Sequence, residues 1–123
     1  MGWTVVIGLF LVAHGLAHVA VYAPPAAGDA PFDPARSWMF GRQLRPLALT
    51  LAAITALIFV IAGIGLLAHL DWWQAASVAG ASASLVLLAL FFHPWLSFGV
   101  AINVAIIWVL TQTDWPTSEM LGW

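Results

Sequence analysis

The stretch from Trp3 to Tyr22, WTVVIGLFLVAHGLAHVAVY, contains no Asp, Glu, Lys or Arg. A helix needs about 20 mainly apolar residues to cross the hydrocarbon core of a bilayer, so this stretch predicts a membrane-spanning helix. It includes His14 and His18 in an HxxxH arrangement. Side chains four positions apart project from one face of a helix, and we therefore expect the two imidazoles to lie together.

The rest of the chain has the same apolar character. Of its 123 residues, 63% are hydrophobic and 7% are charged, whereas about 25% of residues are charged in a typical soluble domain. Residues 1–28, 46–70 and 72–113 contain no Asp, Glu, Lys or Arg. Because the last run is long enough for two spans, the sequence predicts an integral membrane protein with four spans, embedded in the lipid bilayer.

Prolines separate the predicted spans. Pro24-Pro25 ends the first span, Pro46 suits the first turn of the second, and His93-Pro94 divides the third from the fourth. We predict an all-α, up-down-up-down bundle of four transmembrane helices in one domain, residues 1–123, with an irregular loop at 26–34. The spans are predicted at about residues 3–22, 46–69, 74–92 and 95–111.

The third span carries small residues at regular intervals. Ala76, Gly80 and Ser84 follow one another four residues apart. Small residues at this spacing let membrane helices approach closely. We therefore expect this ridge to face a neighbouring helix, with Ser84 acting as a packing residue.

The few charged residues predict the orientation and limit the partners. All three basic residues, Arg36, Arg42 and Arg45, lie between the first and second spans. The positive-inside rule places that loop in the cytoplasm and both termini outside. A net charge of −2 without any lysine argues against a nucleic-acid partner, and the absence of cysteine excludes disulfides and thiolate metal sites.

This threading brings scattered polar residues to one half of the membrane. With a rise of about 1.5 Å per residue, His14 and Asn103 each lie roughly 12 Å below the cytoplasmic interface. Polar groups at such depth usually face the bundle interior and often carry function. The candidate cofactor-binding residues in this half are His14, His18, Tyr22, Arg45, His93 and Asn103.

The cluster has several interpretations. The HxxxH pair, His14 and His18, is spaced to offer two ligands to a metal ion or one to a haem iron, and a quinone held by His and Asn also fits. Alternatively, Asn103 hydrogen-bonds His14 across the bundle as a structural pair. In that reading Arg45 is a headgroup anchor, Tyr22 an interfacial belt residue and His93-Pro94 a turn.

The absence of carboxylates from the predicted spans limits the chemistry. A di-iron carboxylate bundle needs inward-facing glutamates, and proton-coupled transport needs intramembrane acids; the spans contain neither. A zinc hydrolase would lack a carboxylate base near its ligands. The spans also offer too few polar residues to line a channel or a solute pathway.

The motifs resemble those of a group of short, four-helix bacterial membrane proteins. That group carries His-Gly-Leu-Ile-His in the first span, Arg-Pro before the second and Phe-Gly-x-x-x-Asn in the fourth. The matching residues are His14-Gly15-Leu16-Ala17-His18, Arg45-Pro46, Trp72-Trp73, Phe98-Gly99 and Asn103. The resemblance covers about residues 3–110 and implies a fold and a bacterial inner membrane, but no activity. The chain departs from the group in having Val21-Tyr22 where Gly-Phe often follows the second histidine, and in a longer Pro/Asp loop.

These observations predict a non-catalytic protein. We expect a binding or accessory subunit of a larger membrane complex, associated with other membrane subunits or with itself. The alternative is a redox or cofactor-binding membrane protein that uses His14 and His18 for haem, a metal ion or a quinone.

Overall fold

The computed structural model describes residues 2–25 and 27–123, and 70% of it is helical. The four long helices pack in chain order, α1 on α2, α2 on α3 and α3 on α4, which confirms the all-α, up-down-up-down bundle. Ala26, the first residue of the predicted loop, lies outside the described residues. The described elements are α1 Gly2–Tyr22, β1 Arg36–Ser37, β2 Arg42–Gln43, α2 Arg45–Leu67, α3 Trp73–Leu90, α4 Ser97–Gln112 and α5 Ser118–Leu121.

Four helical segments are long and apolar enough to span a membrane, the fourth including the single 3-10 turn Pro94–Leu96 before α4. Their ends lie within two residues of the predicted ones. The helix α2 stops at Leu67 rather than at His69 because His69 has φ 59°. The amides of His69 and Leu70 donate to the carbonyls of Leu66 and Gly65, which is the hydrogen-bond pattern of a Schellman helix end.

The closest helix contact lies between α1 and α2, where glycines face each other. A Cβ atom on Gly63 would lie 2.7 Å from the carbonyl oxygen of Gly8 and 2.7 Å from the side chain of Val12. A Cβ atom on Gly15 would lie 2.7 Å from the Cβ of Phe59. These positions accept only glycine if the helix axes are to stay as they are.

A small β-hairpin, β1 paired antiparallel with β2, covers one end of the bundle, which we call the hairpin side. The Ser37 hydroxyl donates to the carbonyl of Leu90 at 2.7 Å, and the Trp38 indole donates to that of Ala89 at 2.7 Å. The Arg45 guanidinium donates to the carbonyl of Ala23 just after α1. The loop thereby satisfies terminal carbonyls of α1 and α3, and places a cation where the helix dipole favours one.

The C-terminal tail covers part of the opposite end, which we call the terminal side. The Thr4 hydroxyl donates to the carbonyl of Leu121 at 2.6 Å. Trp3 and Trp115 pack edge to face with ring centroids 6.3 Å apart, and Trp123 stacks on His69 at 5.3 Å. The short helix α5 therefore packs against α1.

The helix α4 is the least covered of the four. In an 18-residue stretch of the fourth span, which includes the 3-10 turn, only 6% of the residues are buried, against 33–39% in the corresponding stretches of the other three spans. Asn103 is its one buried residue. Its main neighbour is α3, and an open seam separates it from α1. On the terminal side this seam forms an apolar cavity of about 420 Å³, whose wall includes Trp3, Phe10 and Ile106.

Candidate functional site

A network of four polar side chains joins three helices inside the bundle. On α1, His14 Nε2 lies 3.2 Å from the Oδ1 of Asn103, and His18 Nδ1 lies 2.8 Å from the carbonyl of His14. His18 Nε2 lies 2.5 Å from the hydroxyl of Ser84 on α3. Asn103 Nδ2 on α4 donates to that hydroxyl at 2.8 Å and to the carbonyl of Gly99 at 2.7 Å.

The donors in this network follow from the acceptors. A carbonyl only accepts, so Nδ1 of His18 carries its proton, and in the neutral ring Nε2 accepts from the Ser84 hydroxyl. The amide protons of Asn103 go to Ser84 and Gly99, which leaves Oδ1 as the acceptor for a proton on Nε2 of His14. Every polar side-chain atom in the network is thereby engaged except Nδ1 of His14, which keeps a lone pair.

Aromatic rings hold the two imidazoles in place. The ring of Phe59 lies edge to face with His14 at 4.9 Å and stacks on His18 at 6.0 Å. Phe10 stacks on the outer face of the network at His14, with centroids 5.7 Å apart. The two imidazole planes are 85° apart. Because both nitrogens of His18 already make hydrogen bonds, the pair could chelate a metal ion only if His18 left Ser84 or the His14 carbonyl.

The seam between α1 and α4 opens beside this network on the hairpin side. A cavity of about 190 Å³ there is lined by His14, His18 and Tyr22 from α1 and by Gly99 from α4. Tyr22 is 1% exposed, and its hydroxyl has no hydrogen-bond partner among the described residues. A buried hydroxyl without a partner is uncommon and costly.

The structure brings together only part of the predicted cluster. His14, His18 and Asn103 form the network, and Tyr22 lines the adjacent cavity. Tyr22 is 1% exposed and its ring packs at 6.4 Å against Phe91, so its side chain lies inside the bundle instead of facing lipid as a belt residue would. Neither of the two remaining candidates, Arg45 and His93, belongs to the network.

Arg45 and His93 instead form hydrogen bonds with backbone atoms on the hairpin side. Arg45 binds the carbonyl of Ala23 at the end of α1. His93 stacks on Phe32 at 4.3 Å, and its Nδ1 accepts a hydrogen bond from the amide of Trp95 at 3.2 Å. His93 thus begins the 3-10 turn, in agreement with its interpretation as a turn residue.

Ser84 is the member of the network that the sequence interpretation missed. Ser84 was expected to pack, yet its hydroxyl links His18 to Asn103. Its depth was a usable signal. Ser84 precedes the end of α3 by six residues and Asn103 follows the start of α4 by six, which places both roughly 9 Å from the hairpin side.

The network consists of two imidazoles, a hydroxyl and an amide, which hydrogen bonds join across α1, α3 and α4. Among residues 2–25 and 27–123, no three His, Cys, Asp or Glu side chains group as a metal site would require. The network has no carboxylate, and the lone pair on Nδ1 of His14 is its one hydrogen-bond acceptor without a donor. Fold and site together define a four-helix bundle of membrane-spanning dimensions with a polar network in its interior.

Comparison with family models, with curated proteins and with solved structures finds no match to this chain. The resemblance to short bacterial four-helix proteins therefore stays a prediction.

Proposed function

We propose that this protein is a non-catalytic subunit of a bacterial inner-membrane assembly, and that it packs against other transmembrane helices through α4. The observation that carries the proposal is the low coverage of α4, in which Asn103 is the one fully buried residue. Together with the 3-10 turn before it, the fourth span has 19 residues and is roughly 30 Å long, enough to cross the hydrocarbon core, so a largely uncovered helix face lies at membrane depth.

The polar network supports a structural rather than a catalytic role. Its donors and acceptors satisfy one another across α1, α3 and α4, so its evident effect is to hold α4 to the bundle. Interhelical hydrogen bonds of this kind stabilise membrane bundles. The redox alternative with haem or a metal ion would have only Nδ1 of His14 available without rearrangement.

Photo-crosslinking tests the packing proposal. We expect p-benzoylphenylalanine in place of Trp108 on α4 to form a discrete protein adduct in the native membrane. The matched control is Leu57 on α2, since Trp108 is 59% and Leu57 60% exposed. The adduct should contain either another integral membrane chain or a second copy of this chain. Equal, diffuse labelling at both positions, with lipid as the only target, would refute the packing role of α4.

The proposed orientation places the hairpin side in the cytoplasm and both termini outside. Because the chain has no cysteine, single cysteines report accessibility without background. Gly2 and Gly28 form a matched pair, because a Cβ atom at either position meets nothing within 4 Å. We expect a membrane-impermeant maleimide to label Gly2→Cys in intact cells and Gly28→Cys only after permeabilisation. The reverse pattern would contradict the orientation.

A further inference from the structure

We propose that the cavity between α1 and α4 on the hairpin side binds a neutral, lipid-soluble molecule that carries a hydroxyl donor and a second oxygen. The proposal does not depend on the packing role of α4. Its starting point is the hydrogen-bond balance of the network, which leaves one acceptor, Nδ1 of His14, without a donor.

The position of Nδ1 of His14 makes the missing hydrogen-bond donor significant. His14 lies eight residues from Tyr22 at the end of α1, so it is roughly 12 Å inside the bundle along the helix axis. At that depth in a bilayer no bulk water is present to donate a hydrogen bond, and an unsatisfied polar atom is costly. A group that enters the seam and donates a proton would remove that cost.

The Tyr22 hydroxyl is a second, independent indication of a ligand. It belongs to a residue that is 1% exposed, has no partner among the described residues, and lines the same cavity as His14. Tyr22 lies nearer the hairpin side than His14, so the two groups contact different parts of a bound molecule. Because the hydroxyl oxygen itself is buried, the Tyr22 ring must shift toward the cavity before its hydroxyl can donate to a bound molecule. A ligand that carries a second oxygen in addition to its donor would give this hydroxyl a partner.

Charge and size narrow the ligand class further. No charged side chain lines the cavity, and Arg45 is committed to the carbonyl of Ala23, so a neutral molecule is favoured over an ion. The volume of about 190 Å³ is below the roughly 300 Å³ at which sites for whole drug-sized ligands begin. The cavity therefore takes a head group, and the apolar tail lies along the seam between α1 and α4.

Two kinds of membrane molecule share this chemistry. A prenylated hydroquinone offers two hydroxyls on an apolar tail, and a diacylglycerol offers one hydroxyl beside ester carbonyls. In both molecules the hydroxyl donates to Nδ1 of His14 and the second oxygen accepts from Tyr22. An oxidised quinone has no hydroxyl proton to donate. Its carbonyl oxygens and Nδ1 of His14 are both acceptors, so they would repel each other.

Binding is measured on the full-length protein in detergent, without oxygen, from the ligand-dependent rise in Tm. The probes are a prenylated hydroquinone and a diacylglycerol, each compared with its O-methylated derivative. We expect at least one parent compound to raise Tm and its derivative to bind about tenfold more weakly, because the donor proton is lost. The parent compound that binds more tightly shows which of the two kinds of membrane molecule the cavity prefers. Binding of neither parent, or equal binding of parent and derivative, overturns the proposal.

Two variants locate the site. A Cβ atom on Gly99 meets only Leu88, at 3.4 Å, so we expect Gly99→Val to fold, occupy the cavity and abolish the shift in Tm. The control Ala101→Val, on the same helix but outside the cavity lining, should retain it. Tyr22→Phe should leave the Tm of the unliganded protein unchanged or higher and weaken binding about fivefold. Retained affinity in both Gly99→Val and Tyr22→Phe would place any binding elsewhere and refute this site.

Discussion

Gly63→Ala is expected to lower the free energy of unfolding by about 2 kcal/mol, as overpacking in a well-packed interior does. The new methyl group would lie 2.7 Å from the carbonyl oxygen of Gly8 on α1. That oxygen belongs to helix backbone, so relief requires the axes of α1 and α2 to separate. The loss outweighs the gain of about 1 kcal/mol in intrinsic helix propensity from glycine to alanine. Unfolding by denaturing detergent, followed by circular dichroism, measures the change.

Gly99→Ala is the matched control for this prediction. It is also a glycine-to-alanine change in a long helix, here in the first turn of α4, but its Cβ atom would make an ordinary contact of 3.4 Å with the flexible side chain of Leu88. We expect Gly99→Ala to leave stability unchanged or slightly raised. If both variants unfold at the same detergent fraction, the close approach of α1 and α2 at Gly63 is not what limits stability.

Asn103→Leu is expected to cost about 2 kcal/mol, because it leaves buried polar groups without partners. Leucine has similar volume but cannot accept from His14 or donate to Ser84 and Gly99. Since Asn103 is the only buried residue of α4, we also expect the substitution to speed deuterium exchange along α4 more than along α2, each compared with the unsubstituted protein. Detergent unfolding and exchange mass spectrometry measure the two effects.

Gln112→Leu provides the comparison for Asn103→Leu. It makes the same amide-to-leucine change on the same helix, but the side chain of Gln112 is exposed and its one hydrogen bond goes to the hydroxyl of Thr111, at 3.3 Å. Substitutions at such positions usually change stability by about 0.5 kcal/mol or less. Equal losses in the two variants would mean that the network does not hold α4 in place.

The spans could be predicted because their signal is local. Long charge-free runs and the prolines at positions 24–25, 46 and 94 are properties of short segments, and the observed helices follow them within two residues. The hairpin was not predicted, since Arg36–Ser37 and Arg42–Gln43 are too short for a periodic pattern and are held by α3. The glycine contact between α1 and α2 also needs the relative rotation of the helices, which the sequence does not specify.

The sequence predicts how far the candidate site residues lie along their helices, but not which way their side chains point. Equal depth correctly indicated the hydrogen bond between His14 and Asn103. Depth alone also grouped Arg45 and His93 with them, although Arg45 binds the backbone after α1 and His93 begins the 3-10 turn. Ser84 was overlooked because a serine among alanines looks like a packing residue. Its hydroxyl becomes significant only once the packing of α3 is known to bring it within reach of both His18 on α1 and Asn103 on α4.

The hairpin has a consequence for the order in which the protein is assembled during synthesis. Ser37 and Trp38 bind carbonyls that lie 53 and 51 residues further along the chain, so these bonds have no partner when the first loop emerges from the ribosome. Arg45 needs only Ala23, 22 residues earlier. The first loop can therefore attach to α1 as soon as it is made, and its hairpin takes its final position only after α3 has been inserted.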